Sequence, residues 1–261
     1  MRAQKMMPES CIETDIIKYA QEKIKEKTMI YCMSDIHGDY EKYRRMLETI
    51  QLKETDTLYI LGDVADRGPE PVSILLDMMK RPNVRPILGN HEYMAVLCLR
   101  VLTKEVTEET IAEFSAEAIR DFWNWQAEGG RSTLEGFRRL DAVRRREVLE
   151  YLLEFELYEE VTVNGNWYLL AHAGPKNFSE NRPLWDYGLH EWIWTRLDYT
   201  KRYYKDRFLV TGHTPVAHIP GNTQKDSIFR ANGHIAIDCG CGTGGTLGAI
   251  CLDTGETFYI K

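Results

Sequence analysis

An α/β fold is expected from three observations on the sequence. Across the first hundred residues, apolar strand-like segments alternate with segments whose apolar residues recur every three or four positions, a βαβαβα pattern. Each of these strands runs into a short polar motif marked by glycine: Ser34-Asp35-Ile36-His37-Gly38-Asp39, Gly62-Asp63-Val64-Ala65-Asp66-Arg67-Gly68 and Gly89-Asn90-His91-Glu92. Further on, two more strands end in histidine motifs, His172-Ala173-Gly174 and Gly212-His213-Thr214-Pro215. Parallel strands joined by helices bring the residues beyond each strand's last position to one carboxyl edge, where open α/β sheets bind ligands.

In chain order, residues 1–28 read as a polar lead-in with a helix over Glu13–Glu26, where Ile16, Ile17, Ala20 and Ile24 keep helical spacing. Met29–Met33 is the first strand. Asp39 then caps a helix whose Tyr40, Tyr43, Met46, Leu47 and Ile50 form its apolar face. Thr57–Leu61 is the central strand. A helix comes next over Pro71–Lys80, opened by proline and closed before Arg81-Pro82. A strand at Val84–Leu88 and an apolar helix at Tyr93–Leu102 complete this half.

Residues 103–157 turn helical and charged, as an inserted cap broken at Gly129-Gly130, with a capping-box pattern at Ser132 and Glu135. Strands Tyr158–Val163 and Asn166–Ala171 flank Asn164-Gly165, a strong hairpin signal. The aromatic stretch from Trp185 to Tyr204, which contains Trp194-Thr195-Arg196, is expected to build core or wall. Phe208–Thr211 is a further strand, and the tail supplies Ile235–Ile237, Thr246–Leu252 and Thr257–Ile260. The whole chain, 1–261, is expected to form one domain, with 1–28 as an N-terminal extension and 103–157 as a helical insert.

A chain of 261 residues, 43% hydrophobic, can bury a substantial core, and a net charge of -7 argues against a nucleic-acid backbone binder. The N-terminus lacks the apolar stretch of a signal peptide, and no segment approaches a membrane span, so a soluble, cytoplasmic protein is expected. The six cysteines are scattered, which points to reduced thiols rather than disulfides. Cys239-Gly240-Cys241 has no second cysteine pair and lacks zinc spacing, so a structural role is expected there.

The strand-end motifs supply Asp35, His37, Asp63, Asn90, His172 and His213. Oxygen and imidazole ligands without cysteine suit Mn, Fe or Zn, and two metals sharing one carboxylate need about this many groups. With these residues in this order, the chain resembles the metallophosphoesterases of the phosphoprotein phosphatase type, whose signature is GDxHG, GDxVDRG and GNHE followed by two separated histidines. Within that group it is similar to the compact bacterial and bacteriophage-lambda-type Ser/Thr protein phosphatases, which share the W-x-R element. Ser34 and Ala65 depart from the pattern, at positions that supply no ligand.

The resemblance implies a calcineurin-like fold, a central β-sandwich flanked by helices, with two divalent ions. It implies that Asp35, His37 and Asp63 hold one ion, and that Asp63 bridges to a second held by Asn90, His172 and His213. It implies in-line attack on phosphorus by a hydroxide bridging the two ions, with His91 as general acid and Asp66 orienting it. Arg67 and Arg196, with Asn90, would bind the phosphoryl group. The leading expectation is a Ser/Thr protein phosphatase acting on phosphorylated protein or peptide. The alternatives are a dinucleoside polyphosphate hydrolase, sharing the metal motifs and differing in the groove, and more remotely a non-catalytic phosphate-binding protein. His190, His218 and His234 are expected to take no catalytic part.

Overall fold

In the computed structural model, residues 28–103 and 115–261 are described; the expected helix at 13–26 lies outside them. β1 (Ile30–Met33), β2 (Thr57–Leu61) and β3 (Val84–Ile87) pair in parallel, with Met33 opposite Ile60 and Leu61 opposite Ile87. Most of their side chains are buried, as expected for strands covered on both faces. The tail extends this sheet: β9 (Leu247–Cys251) runs antiparallel to β1, and β10 (Thr257–Ile260) pairs with β9.

A second five-stranded sheet has the order β4-β5-β6-β8-β7. It comprises β4 (Tyr158–Val163), β5 (Asn166–Ala171), β6 (Arg207–Thr211), β7 (Phe229–Ala231) and β8 (His234–Ala236). Asn164 and Gly165 both take positive φ, the geometry that a two-residue hairpin demands. The β7–β8 hairpin was not expected from the sequence, although Asn232-Gly233 carries the same turn signal, again with positive φ at both residues. β5, β6 and β8 are mutually parallel. Each sheet therefore contributes three parallel strands, and apolar residues of both sheets join one core.

Helices α1 (Tyr40–Thr49) and α2 (Pro71–Met78) connect the first three strands. Asp39 caps α1 by accepting from the Lys42 amide. α3 (Asn90–Leu102) begins earlier than its apolar periodicity suggests, because Glu92 accepts from the Gly89 amide and lets the chain turn helical at once. Asn90 and His91 consequently sit in the first turn of a helix rather than in a loop.

The described part of the insert forms α4 (Ala116–Ala127), α5 (Arg131–Arg138) and α6 (Ala142–Leu153). α4 and α6 pack on α3, and α5 packs on α2. The expected capping box at Ser132 is not formed, since α5 starts one residue earlier and Glu135 pairs instead with Arg131 at 2.7 Å. A short helix, α7 (Leu189–Ile193), precedes Trp194. Among the described residues no helix is long and apolar enough to cross a membrane.

Candidate active site

Six parallel strands, three from each sheet, end side by side, and every one of them delivers polar residues to the same place. Asp35 and His37 come after β1; Asp63, Asp66 and Arg67 after β2; Asn90 and His91 after β3. His172 comes after β5, His213 after β6, and Asp238 after β8. The chain must turn sharply at these exits, and the non-glycine residues there carry backbone strain. Asp35, His37, Asp63, Asp66, Arg67 and His213 all have φ between 47° and 72°. Each costs about 1–3 kcal/mol, which the surrounding hydrogen bonds must offset.

Those bonds are present. The Glu92 carboxylate, fully buried, accepts from the amides of Asp63, Val64 and Ala65 at 2.8 Å and from Gly89 at 3.1 Å, which locks the β2 and β3 exits together. Burial first, then the nearby Asp63 charge, raise the Glu92 carboxyl to about 7. Across the sheets, the His213 amide donates to both Asp35 oxygens at 3.0 and 3.2 Å. Gly62, with φ of 77°, lies against the Gly89 backbone and His172; a Cβ there would stand 2.6 Å from the His172 ring.

Two histidines are fixed in one tautomer. His37 Nδ1 is 3.0 Å from the Ala65 carbonyl, and His172 Nδ1 is 2.8 Å from that of Leu61. Each Nδ1–H donates, so each Nε2 presents a lone pair inward, the orientation that metal-ligating histidines adopt. His37 Nε2 lies 3.6 Å from Asp63 Oδ2. His172 Nε2 lies 3.0 Å from Asn90 Oδ1, 3.2 Å from His213 Nδ1 and 3.4 Å from Asp63 Oδ1.

Acceptor atoms thus converge on both sides of Asp63. A cation satisfies such clusters, and this residue set fits a pair of divalent ions. The ligand atoms of His37, Asp63 and His91 lie within 4.8 Å of one another, as do those of Asp63, His172 and His213. Burial holds His37 and His213 down at about 3, and so neutral and ready to coordinate. The Asp35 carboxyl is pushed up by burial and by the neighbouring Asp238 and Asp63 charges, a repulsion that a cation relieves.

Beside this cluster, His91 Nδ1 is 2.7 Å from Asp66 Oδ2. Asp66 is itself buried and held by the insert: Trp125 Nε1 donates to Oδ2 at 2.9 Å, and Thr133 Oγ1 donates to Oδ1 at 2.6 Å. Arg67 Nη2 lies 3.1 Å from His91 Nε2, and the Arg67 amide is tied to the Gly129 carbonyl. Burial disfavours the charged His91, but Asp63 and the Asp66 hydrogen bond outweigh it, and the imidazole is raised above its ordinary value. Arg196 is exposed and reaches the His213 carbonyl at 3.3 Å.

All ten residues singled out from the sequence as catalytic, phosphate-binding or metal-ligating therefore meet here. Asp238, Glu92, Trp125 and Thr133 were not foreseen. Asp238 carried a readable signal, an acid directly after the Ile235–Ile237 strand; its carboxyl is buried and raised to about 6, chiefly by burial. Cys239 and Cys241 are buried thiols, Cys241 donating to the Ile36 carbonyl at 3.4 Å, which is a packing role. The pocket over the cluster, about 380 Å³, includes Asp35, Asp63, His91, Arg67, Arg196 and Asp238. Trp194 and Arg196 line both this pocket and a groove of about 920 Å³.

Residues 28–237 match the family described as calcineurin-like phosphoesterase. Symmetrical bis(5'-nucleosyl)-tetraphosphatases from Acidovorax sp. (strain JS42) and Nitrosospira multiformis are each 31% identical over 147 residues, 56% of this chain and 43% of theirs. The chain thus aligns with less than half the length of these relatives. A crystal structure provisionally named a diadenosine tetraphosphatase superposes with a TM-score of 0.60 at 16% identity, covering 90% of this chain and 94% of that one. That likeness is one of fold.

Proposed function

The chain belongs to the calcineurin-like phosphoesterase family, and on that premise we propose that it is a metal-dependent hydrolase of dinucleoside polyphosphates. The observation that carries the substrate class is that Trp194 and Arg196 line both the metal pocket and a larger groove. A single phosphoryl group needs only the pocket; the groove offers room for the rest of a polyphosphate and its nucleoside. The names of the 31% identical relatives point the same way. A phosphoserine or phosphothreonine protein is the first expectation from the motifs, which serve both substrates alike.

In this reading Asp35, His37 and Asp63 would hold one divalent ion, and Asp63, Asn90, His172 and His213 would hold the other. Bound there, Mn, Fe or Zn supplies Lewis acidity toward the phosphoryl oxygens and acidifies the attacking water. Arg67 and Arg196 turn their guanidinium groups onto the phosphoryl oxygens. The water oxygen gives up one proton to solvent and forms a bond to phosphorus as the anhydride P–O bond opposite it breaks, the electron pair of that bond leaving with the departing phosphate oxygen. His91 gives its Nε2 proton to the departing phosphate oxygen, while Asp66 keeps the ring oriented through Nδ1. Trp125 and Thr133 keep Asp66 in place.

The test compares initial rates of the Mn-loaded protein on diadenosine tetraphosphate and on a phosphothreonine peptide. The expected result is a kcat/KM at least about tenfold higher for the dinucleotide, equivalent to about 1.4 kcal/mol of transition-state preference. Faster release of phosphate from the peptide would overturn the substrate and restore the protein-phosphatase reading.

A further inference from the structure

Trp194 lines both the metal pocket and the groove, with 37% of its surface exposed. One face of the indole is covered by the His190 ring, stacked at 4.9 Å between centroids and 14° between planes. Tyr93 braces the pair edge-on, 5.5 Å from Trp194 at 89° and 5.4 Å from His190 at 75°. Packed against two neighbouring rings, the exposed His190 and the half-buried Tyr93, the indole has less freedom to give up on binding than an isolated side chain, and its exposed apolar surface contributes to the groove lining. Stacking on such a surface is how proteins hold nucleobases, whatever the base.

The charge of the groove fits the same ligand. Its lining carries Lys176, Arg196, Lys201 and Arg202 against Glu191 and Asp198, four cations to two carboxylates. Both carboxylates are engaged: Glu191 with Arg182 at 2.9 Å, and Asp198 with Lys201 at 2.9 Å. A groove with excess positive charge on a chain of net charge -7 marks a place for anionic ligand.

We propose that Trp194, backed by His190 and braced by Tyr93, is a stacking platform for one purine base of a dinucleoside polyphosphate. The polyphosphate passes Arg196 into the metal pocket, and the nucleoside beyond the scissile bond lies in the groove. This rests on the dinucleotide reading above.

The test uses the Mn-loaded full chain as wild type, Trp194→Ala and Trp194→Phe, with diadenosine tetraphosphate and inorganic tripolyphosphate, which has no base. Loss of stacking should raise the dinucleotide KM of Trp194→Ala about 5- to 100-fold. The loss on tripolyphosphate should be several-fold smaller, and Trp194→Phe should recover part of the dinucleotide KM. Should Trp194→Ala not fold, His190→Ala removes the backing and is read in the same way. Equal losses on both substrates, or an unchanged dinucleotide KM, would overturn the platform. Failure of the underlying substrate reading shows differently, as a wild type that leaves the dinucleotide intact.

Discussion

His91 is the residue at which the chemistry can be tested most directly. Its Nδ1 is committed to Asp66, and its Nε2 stands 3.9 Å from Asp63 Oδ2, close enough to be counted as a ligand and well placed to deliver a proton. His91→Asn separates the two roles. If His91 is the acid, kcat should fall by about 10² to 10⁴ with metal content preserved by elemental analysis. The smaller loss is expected on an anhydride, whose phosphate leaves readily without a proton, and the larger on an alkyl phosphate ester. Loss of one ion per chain in this variant would instead make His91 a ligand.

Among the elements, the helical insert matters most, because it does more than cover the site. Its charged residues are expected from the sequence on a solvated face, which holds for Arg131, Glu135, Arg144 and Glu147. Trp125 on α4 and Thr133 on α5 point the other way and hold the carboxylate behind His91. The Asp66 amide also donates to Thr133 Oγ1 at 2.9 Å, so a single hydroxyl serves both ends of that residue. Thr133→Val leaves a buried carboxylate oxygen and an amide unsatisfied. It should lower stability by about 1–3 kcal/mol in denaturant melts, and it should reduce kcat through the misplaced acid. Thr133→Ser should restore most of both, and a Thr133→Val protein with wild-type kcat would show that Asp66 needs no help from the insert.

For the whole molecule, the site is the seam between two sheets. Asp35, His37, Asp63 and Asn90 come from the first sheet, His172 and His213 from the second, and the two sets meet across Asp63. Ions held by residues of both sheets would stabilise the folded chain by mass action, by about 2.7 kcal/mol for one site at a hundredfold excess over Kd. Adding Mn to metal-free protein should therefore raise Tm, and a chelator should reverse it. In Asp63→Asn the increase should largely vanish. An Asp63→Asn protein that gains as much from Mn as the wild type would place the ions elsewhere.

Most of the first sheet was legible because its strands, turns and helices are encoded locally: an apolar run, a glycine corner, an apolar face at helical spacing. The candidate ligands were legible for the same reason, each standing directly after a strand. The β9–β10 hairpin around Asp253–Glu256 was legible in the same way, but the antiparallel pairing of β9 with β1 was not, since pairing partners far apart in sequence leave no local mark. Nor were Glu92, Trp125 and Thr133, whose importance lies in the groups they touch. Glu92 reads as an ordinary helix-start acid until it is seen to bind amides of two loops, and Trp125 as a core aromatic until its indole nitrogen is seen on Asp66. The side chains able to ligate, donate and clamp could be named from the chain alone, because that chemistry resides in residue type and strand-end position. Which of them meet, which tautomers they hold and which neighbours support them emerged with the folded molecule, because contacts between distant segments are set by the packing of the whole core.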